Sequence, residues 1–201
     1  MKIRIHVKFL ILLPCVILGG CLGPGKINTP SHFTLTTHQK PLPSNNKHLS
    51  ASLLVATPSA SPGYETSSMV YTMIPYKLMT YADNTWVAPP AEMFLPILSS
   101  TIRQINVFKS VISSPYAGFS NYTLNTTIET MQQEFYQPVS QIRMVVLASL
   151  VDNASQKVIA TQRFIAVVAA PGNDAYAGVL ATNAAAGQLS DKIALFVRRS
   201  V

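Results

Sequence analysis

Few residues in this sequence have the types and spacing that catalysis or metal binding requires. All four histidines, His6, His32, His38 and His48, precede residue 50. A Ser/His/Asp arrangement or a histidine-rich metal site would need a histidine in the longer remainder of the chain. The eight acidic residues are scattered, with no spacing that marks a catalytic carboxylate pair. The sequence therefore predicts no catalytic residues, no metal site and no cofactor.

The thiol of Cys21 is a candidate functional group because of the residues that precede it. The chain begins with a basic segment and continues with an apolar run over 9–18, which is the layout of a secretory signal peptide. The run is about ten residues long, half of the length with which a helix crosses a bilayer. We therefore interpret residues 1–20 as a targeting segment. The alternatives are a non-lipidated signal peptide or a short membrane anchor that happens to contain Cys21.

The segment Leu18-Gly19-Gly20-Cys21 resembles the lipobox of bacterial lipoproteins. In those proteins the cysteine thiol is alkylated by a diacylglycerol, the chain is cut just before it, and the new amino group is acylated. The resemblance implies cleavage between Gly20 and Cys21, and three acyl chains exceed the two signals that stable anchoring requires. Aspartate after the cysteine usually retains such proteins at the inner membrane. Since Leu22 stands there, we expect the outer membrane, with the body facing the periplasm.

Length and charge limit what the mature chain can be. About 180 residues follow the cut, enough for one domain with its own core. The formal charge of +7 falls to +4 once the three basic residues of the targeting segment leave. No block of five basic residues remains, so nucleic acid is not an expected partner. Residues 21–31 have the glycine-, proline- and polar-rich composition of a tether, and the folded domain is expected over 32–201.

Alternating and apolar runs predict strands in both halves of the chain. They fall at 32–37, 52–57, 69–74, 77–82, 108–112 and 121–130. Asp83-Asn84 is expected to form the turn after the fourth strand. The clearest hairpin joins 141–151 to 157–169. Both faces of this hairpin are apolar, so a helix or a partner should cover its second face.

Two helices are predicted, the first after Pro89-Pro90. Proline suits a helix start because an amide in the first turn has no partner. Apolar residues follow at helical spacing; they are Phe94, Ile97, Leu98, Ile102 and Ile105. Pro96 would cost about 3 kcal/mol in a helix interior. We therefore expect this helix to begin near Phe94, or its first turn to be separate from the rest.

The second helix is expected to run to about Arg199 after an N-cap at Asn173 or Asp174. Its predicted inward stripe is Tyr176, Val179, Leu180, Asn183, Ala186, Ile193 and Val197. The order of strands, helix, strands and helix indicates an α+β fold. We expect a single domain with a mainly antiparallel sheet and two principal helices packed on one face.

Particular residues across the domain carry a family resemblance. They are Phe33-Thr34-Leu35, Tyr71, the segment from Tyr81 through Trp86 to Pro89-Pro90, Leu150-Val151-Asp152, Arg163-Phe164, and the terminal-helix run 181–189. In these residues the chain resembles the ABC-type transport auxiliary lipoproteins, which include the paraquat-inducible protein C type. The resemblance extends from about residue 33 to residue 197.

This resemblance implies a non-enzymatic subunit of an envelope lipid-transport system. Such lipoproteins work with MCE-domain proteins, which bridge the periplasm and are linked to an inner-membrane permease and ATPase. The lipoprotein would dock the bridge at the outer membrane, and a ring of identical subunits is compatible with that role. The alternative is a structural or assembly lipoprotein that scaffolds another envelope complex. A lipid-acting hydrolase is a third hypothesis.

The segment before the first helix supplies candidate partner-binding residues. They are Tyr81, Trp86, Pro89 and Pro90. Tryptophan and tyrosine are enriched at interface hot spots, although the simpler interpretation is that Trp86 closes the core at the strand-to-helix junction. The methionines offer a similar choice between lining a lipid-binding groove and filling the core. They are Met69, Met73, Met79, Met93, Met131 and Met144.

Overall fold

The computed structural model of the protein describes residues 29–36 and 48–201. The targeting segment, the predicted cleavage site at Gly20 and Cys21, and most of the tether lie outside the described residues. The described residues form nine strands and two helices in a single α+β domain. The predicted fold class is therefore confirmed.

The element bounds follow the predicted pattern with some changes of length, except for a two-residue strand at Ser59–Ala60, where a loop was expected. The strands are β1 (Ser31–Phe33), β2 (Leu49–Val55), β3 (Ser59–Ala60), β4 (Ser68–Thr72), β5 (Met79–Trp86), β6 (Phe108–Ser113), β7 (Tyr122–Glu134), β8 (Gln141–Asp152) and β9 (Lys157–Ala169). The helices are α1 (Pro90–Gln104) and α2 (Ala175–Ser200). The predicted hairpin is confirmed as β8 and β9, which pair antiparallel along their whole length.

β7 is the strand around which the sheet is built. Along one side it pairs antiparallel with β8 from end to end. Along the other side it pairs in parallel with three short strands in succession, first β2, then β3, then β4. β5 joins β4 antiparallel, and β1 joins β5 in parallel. The longest ladders are antiparallel, so the sheet is largely antiparallel but mixed.

The predicted turn at Asp83-Asn84 is wrong. Both residues lie inside β5, where Asn84 is the register partner of Ser31 in β1 and Thr85 is that of Ser68 in β4. β5 therefore has paired neighbours on both sides. That pairing outweighs the local turn preference of the two residues, because strand formation depends more on cross-strand partners than on intrinsic propensity.

α1 continues through Pro96, and both expectations about that proline are wrong. The helix begins at Pro90, not near Phe94, and its first turn is not separate. Pro96 has no amide to bond to the carbonyl of Glu92. Both residues are exposed, so water can satisfy that carbonyl. The opposite face, with Phe94 and Leu98 fully buried, holds the helix on the core.

Two polar residues at the start of α2, Asn173 and Asp174, have different structural roles. Asp174 is the N-cap, and its Oδ1 accepts a hydrogen bond from the backbone amide of Ala177 at 2.8 Å. Asn173 instead fastens the β7–β8 turn. Its Oδ1 accepts from the backbone amide of Ser140 at 2.7 Å, and its Nδ2 donates to the carbonyl of Pro138 at 2.9 Å. The choice between the two predicted caps is thereby decided.

The buried face of α2 consists mainly of small residues, and it agrees with the predicted stripe at Val179, Ala186, Ile193 and Val197. Its buried residues include Ala177, Gly178, Ala181, Ala185, Ala186, Leu189, Ile193 and Ala194. Tyr176 and Leu180, predicted to point inward, are exposed instead, and Asn183 is only half-buried. Small side chains let the helix backbone lie close against the sheet, so the alanine-rich side is the one that packs.

The second face of the β8–β9 hairpin is partly polar and partly open. Val145 is buried there, while Ile165 and Val167 are exposed. The same face carries Arg143 and Arg163, which pair with Glu134 and Glu129 of β7. Long arginine stems cover apolar surface while the charged group stays at the exterior. α2 packs on the opposite face, with Phe196 against Phe164, and α1 packs against α2. The prediction that a helix covers the second face is therefore wrong, and its cover by a partner stays a prediction.

Candidate partner-binding site

Trp86 ends β5 and lies in the core, only 5% exposed. Its backbone amide donates to the carbonyl of Ser67 at 2.7 Å, and the amide of Val87 donates to the carbonyl of Phe33 at 2.8 Å. The backbone at the end of β5 is thus tied to the segments on both sides. The interpretation that Trp86 closes the core at the strand-to-helix junction is confirmed.

Pro89 and Pro90 set the direction in which α1 leaves the sheet. Pro89 is the N-cap, and its carbonyl accepts the amides of Glu92 at 3.0 Å and Met93 at 3.2 Å. Pro90 occupies the first helical position and is buried, whereas Pro89 is half-buried. The fixed φ of proline suits both positions. Among the four candidate residues, Trp86 and Pro90 thus face inward.

Tyr81, the remaining candidate, is half-buried and acts as a hydrogen-bond donor. Its hydroxyl donates to Oε1 of Gln133 at 3.0 Å, and its ring lies 4.6 Å from that of Tyr71. Burial, followed by the nearby Tyr71 and Asp174, raises the pKa of Tyr81 to about 12. The hydroxyl therefore stays protonated at physiological pH and has a structural role. Tyr81 and Pro89 are the accessible part of the segment, whose partner-binding role stays a prediction.

Gln133 is the buried group to which Tyr81 is joined. The side chain is 2% exposed. Its Nε2 donates to Oγ of Ser140 at 2.8 Å and to the carbonyl of Asp174 at 3.2 Å. The backbone of Gly178 in α2 lies directly against this amide. Neither Gln133 nor Gly178 was predicted as a site residue from the sequence, although a glycine inside a helical pattern is a signal of close approach.

The candidate residues border a cavity that is too small for a ligand. Tyr81, Trp86, Gln133 and Gly178 line a space of about 10 Å³. That volume holds about one water molecule, whereas ligand pockets measure roughly 300–1,000 Å³. Any partner of this segment would therefore contact its surface and would not enter it.

The methionines near this cavity belong to the core. Met69, Met93, Met131 and Met144 are buried, and Met69 and Met131 line the cavity wall. The core interpretation is confirmed for these four. Met79 is half-buried and Met73 is exposed, both at the β4–β5 turn.

A second buried polar group, the carboxylate of Glu134, is fully engaged. It pairs with Nε of Arg143 at 2.8 Å and accepts hydrogen bonds from Gln132 and Gln141. Burial by itself would raise the pKa of Glu134, but the hydrogen bonds and the arginine charge outweigh it and hold the pKa below its usual value. A carboxylate kept ionised in this way is not a proton donor near neutral pH.

Neither a metal site nor a membrane-spanning helix is found in the described parts of the chain. Within 29–36 and 48–201, no three side chains of the metal-binding types converge. No helix in those ranges combines the length and the apolar character needed to cross a bilayer.

A family model described as the ABC-type transport auxiliary lipoprotein component matches residues 33–194. The chain belongs to this family. The match covers nearly the same range as the resemblance noted in the sequence. No curated protein matches this auxiliary lipoprotein.

Solved structures share the fold of this auxiliary lipoprotein. Protein XCC0632 from Xanthomonas campestris is 19% identical with a TM-score of 0.77, over 85% of this chain and 95% of that chain. The crystal structure of an uncharacterized protein is 15% identical with a TM-score of 0.65, over 84% and 99% of the two chains. PelC from Paraburkholderia phytofirmans, a dodecamer, is 12% identical with a TM-score of 0.43, over 74% and 91%. This last likeness is too low to bear on assembly.

Proposed function

We propose that this auxiliary lipoprotein is a non-enzymatic subunit of an ABC/MCE-type intermembrane lipid-transport system. Cys21, carrying a diacylglycerol and an N-acyl chain, anchors it to the periplasmic side of the outer membrane. The folded domain docks the MCE-domain protein that bridges the periplasm. The observation that carries the proposal is the family match over 33–194. The lipobox residues 18–21 support the anchor.

The chemistry of the domain supports binding as its activity. The polar side chains buried at the β7–β8 end, Gln133 and Glu134, are used in hydrogen bonds and an ion pair. Of the described histidines, His32 contacts the hydroxyl of Thr85 through Nδ1 at 2.9 Å on the exposed strand β1. This exposed pair joins the neighbouring strands β1 and β5, which gives its hydrogen bond a structural role.

Copurification tests the partner. The lipidated protein is tagged, extracted from membranes in mild detergent, and its bound proteins are identified by mass spectrometry. We expect an MCE-domain protein, with the permease and ATPase in substoichiometric amounts. If another envelope complex is recovered and no MCE-domain protein is present, the scaffolding alternative is correct.

The Cys21→Ser variant is the matched control for the anchor. Its folded domain is unchanged because Cys21 lies before the matched range. We expect it in the soluble periplasmic fraction, still able to bind the purified MCE-domain protein. Intact mass of the wild type should show the added acyl chains, and an unmodified Cys21 would contradict the proposed anchor. Native mass spectrometry of the wild type tests for a ring of identical subunits.

A further inference from the structure

The turn between β4 and β5, residues 73–78, is apolar and exposed. Met73, Ile74 and Leu78 are each about half exposed, and the side chain of Tyr76 is completely exposed. The turn also contains Pro75 and Lys77, the latter its single charge. Four large apolar side chains on one short turn form a surface that water solvates poorly.

Tyr76 is held in a backbone conformation that tyrosine rarely adopts. Its φ is 67°, and the turn is closed by the amide of Lys77, which donates to the carbonyl of Ile74 at 3.3 Å. Turns with positive φ at the third residue favour glycine there. A bulky residue in this region is strained, and such strain points to a role for the side chain. The Tyr76 ring does not pack against the domain, since it is fully exposed.

The adjacent β7–β8 turn extends the same surface. The amide of Phe135 donates to the carbonyl of Thr72 at 2.9 Å, and the hydroxyls of Tyr136 and Thr72 lie 3.0 Å apart. The two turns are therefore held side by side. Tyr136 and Val139 are exposed there. We call the six residues Met73, Ile74, Tyr76, Leu78, Tyr136 and Val139 the apolar tip.

β1 enters the sheet from the side of the apolar tip. β1 is parallel to β5, with Ser31 opposite Asn84 and Phe33 opposite Trp86. β5 begins at the tip with Met79, so Ser31, the first residue of β1, lies at the end of β1 nearer the tip.

Contacts with α2 give the same direction independently. Phe33 packs 6.1 Å from Tyr176 in the first turn of α2, beside the β7–β8 turn. Three residues later, the amide of Thr36 donates to Oδ1 of Asn183 at 2.6 Å, two turns further along the helix. From Phe33 to Thr36 the chain thus runs away from the tip.

The chain between Cys21 and Ser31 is longer than the distance from Ser31 to the apolar tip. The five residue-to-residue steps of β5 from Asn84 to Met79 span about 17 Å. The ten residues from Cys21 to Ser31 span at most about 33–36 Å when extended. The chain between Cys21 and Ser31 is therefore long enough to extend past the tip.

We propose that the apolar tip rests in the lipid surface in which Cys21 is anchored, so that the domain has a fixed orientation on the membrane. This rests on the lipidation of Cys21 within the proposed function. Aliphatic and tyrosine side chains partition to the bilayer interface, and Lys77 can extend to anionic headgroups. The opposite end of the sheet, with the β8–β9 turn, then faces the periplasm and the partner.

Fluorescence of the lipidated full chain in vesicles tests the orientation. Tyr76→Trp is compared with Val158→Trp, a matched exposed apolar position at the opposite end of the sheet, beside the β8–β9 turn. The vesicles contain phosphatidylethanolamine and phosphatidylglycerol with brominated acyl chains. We expect the added emission of Tyr76→Trp to be quenched and that of Val158→Trp to be unaffected, over the constant background of buried Trp86. Equal quenching, or quenching of Val158→Trp alone, would overturn the proposal.

Partition of an unlipidated chain tests the tip without the anchor. In the Cys21→Ser background, Ile74→Ser with Tyr76→Gly should lower the vesicle partition coefficient by about tenfold. Val158→Ser is the control and should leave it unchanged. The double variant keeps its fold because glycine relieves the positive φ at position 76, and its thermal midpoint verifies this. No loss of partition would overturn the proposal.

A protein-docking role for the tip would give a different result. The Ile74→Ser, Tyr76→Gly variant of the lipidated chain would then lose its MCE-domain partner while its vesicle contact stayed that of the wild type, and the membrane assignment would be wrong. The vesicle experiments contain no partner protein, so failure of the proposed transport function does not affect their outcome. The unlipidated experiment is likewise independent of whether Cys21 is acylated.

Discussion

Gly178 of α2 lies so close to Gln133 of β7 that a Cβ atom at position 178 would come within 2.1 Å of Oε1. The side-chain amide of Gln133 accepts a hydrogen bond from the hydroxyl of Tyr81, and it donates to Ser140 and to the carbonyl of Asp174. One buried side chain therefore joins β5, the β7–β8 turn and the first turn of α2. The arrangement requires glycine because the side chain and the helix backbone are in direct contact.

Gly178→Ala should destabilise the domain. In an ordinary helix interior the change would stabilise by about 1 kcal/mol. Here the amide of Gln133 must move and leave its buried partners, which we expect to cost about 2–4 kcal/mol in the free energy of unfolding. Urea denaturation measures the difference.

Gly172→Ala is the matched control for Gly178→Ala. A Cβ at Gly172 would meet its nearest neighbours at 3.5 Å, an ordinary contact distance. We expect a change within about 0.5 kcal/mol. A more stable Gly178→Ala protein would show that the amide of Gln133 is not held as described.

Tyr81→Phe should change how stability depends on alkaline pH. The pKa of Tyr81 is raised from 10.0 to about 12 by burial in the folded state. The neutral phenol thus contributes stability that is complete below the unfolded-state pKa and is lost as the pH rises through the folded-state pKa. Between those two pH values the wild type should lose more stability than Tyr81→Phe. Urea denaturation on both sides of pH 10 measures this, and parallel losses would contradict it.

Arg143→Leu should lower the free energy of unfolding, because the buried carboxylate of Glu134 depends on the arginine charge. The carboxylate, 3% exposed, would be left buried and without its cation, costing about 3 kcal/mol at neutral pH. Because the pKa of Glu134 is lowered in the wild type, the pair contributes stability above the usual carboxyl pKa and loses it as the pH falls through the folded-state value. The difference in the free energy of unfolding between the wild type and Arg143→Leu should therefore become smaller at acid pH.

Two further variants control the Glu134 experiment. Adding Glu134→Gln to Arg143→Leu removes the buried charge and should recover most of the lost stability. Arg163→Leu breaks the more exposed pair with Glu129, and we expect a loss below about 1 kcal/mol. Equal losses for the two arginine variants would mean that burial of Glu134 does not matter.

Pro96→Ala should stabilise α1. The substitution restores an amide that can donate to the carbonyl of Glu92, on a face where no packing depends on the proline ring. We expect a gain of about 1–3 kcal/mol in the free energy of unfolding. Thermal and urea denaturation measure it. A loss of stability would mean that the ring contributes contacts of its own.

Local patterns were sufficient for several elements. Alternation between two strands with turn residues between them identified the β8–β9 hairpin, and the spacing from Phe94 to Ile102 identified the buried face of α1. These signals hold because each depends on residues close together in the chain. The same applies to Trp86, whose place at a strand-to-helix junction indicated a core position.

Other features were decided by neighbours that are distant in sequence. Asp83 and Asn84 form part of a strand because β1 and β4 pair on both sides of them. α2 turns its alanine-rich side inward, leaving Tyr176 exposed, because Gly178 must meet Gln133. Intrinsic preference could not reveal either outcome, since both depend on which backbones approach each other in space.

The sequence by itself determined the α+β class, the family and the expectation of a lipid anchor at Cys21, since all three are read from local residues and their order. Only the tertiary structure showed that the turn at Tyr76 and the turn at Tyr136 lie together, at the end of the sheet nearer Ser31, where β1 begins. The reason is that these segments are brought together by contacts between residues 53 and 64 positions apart in the chain, which no local pattern encodes.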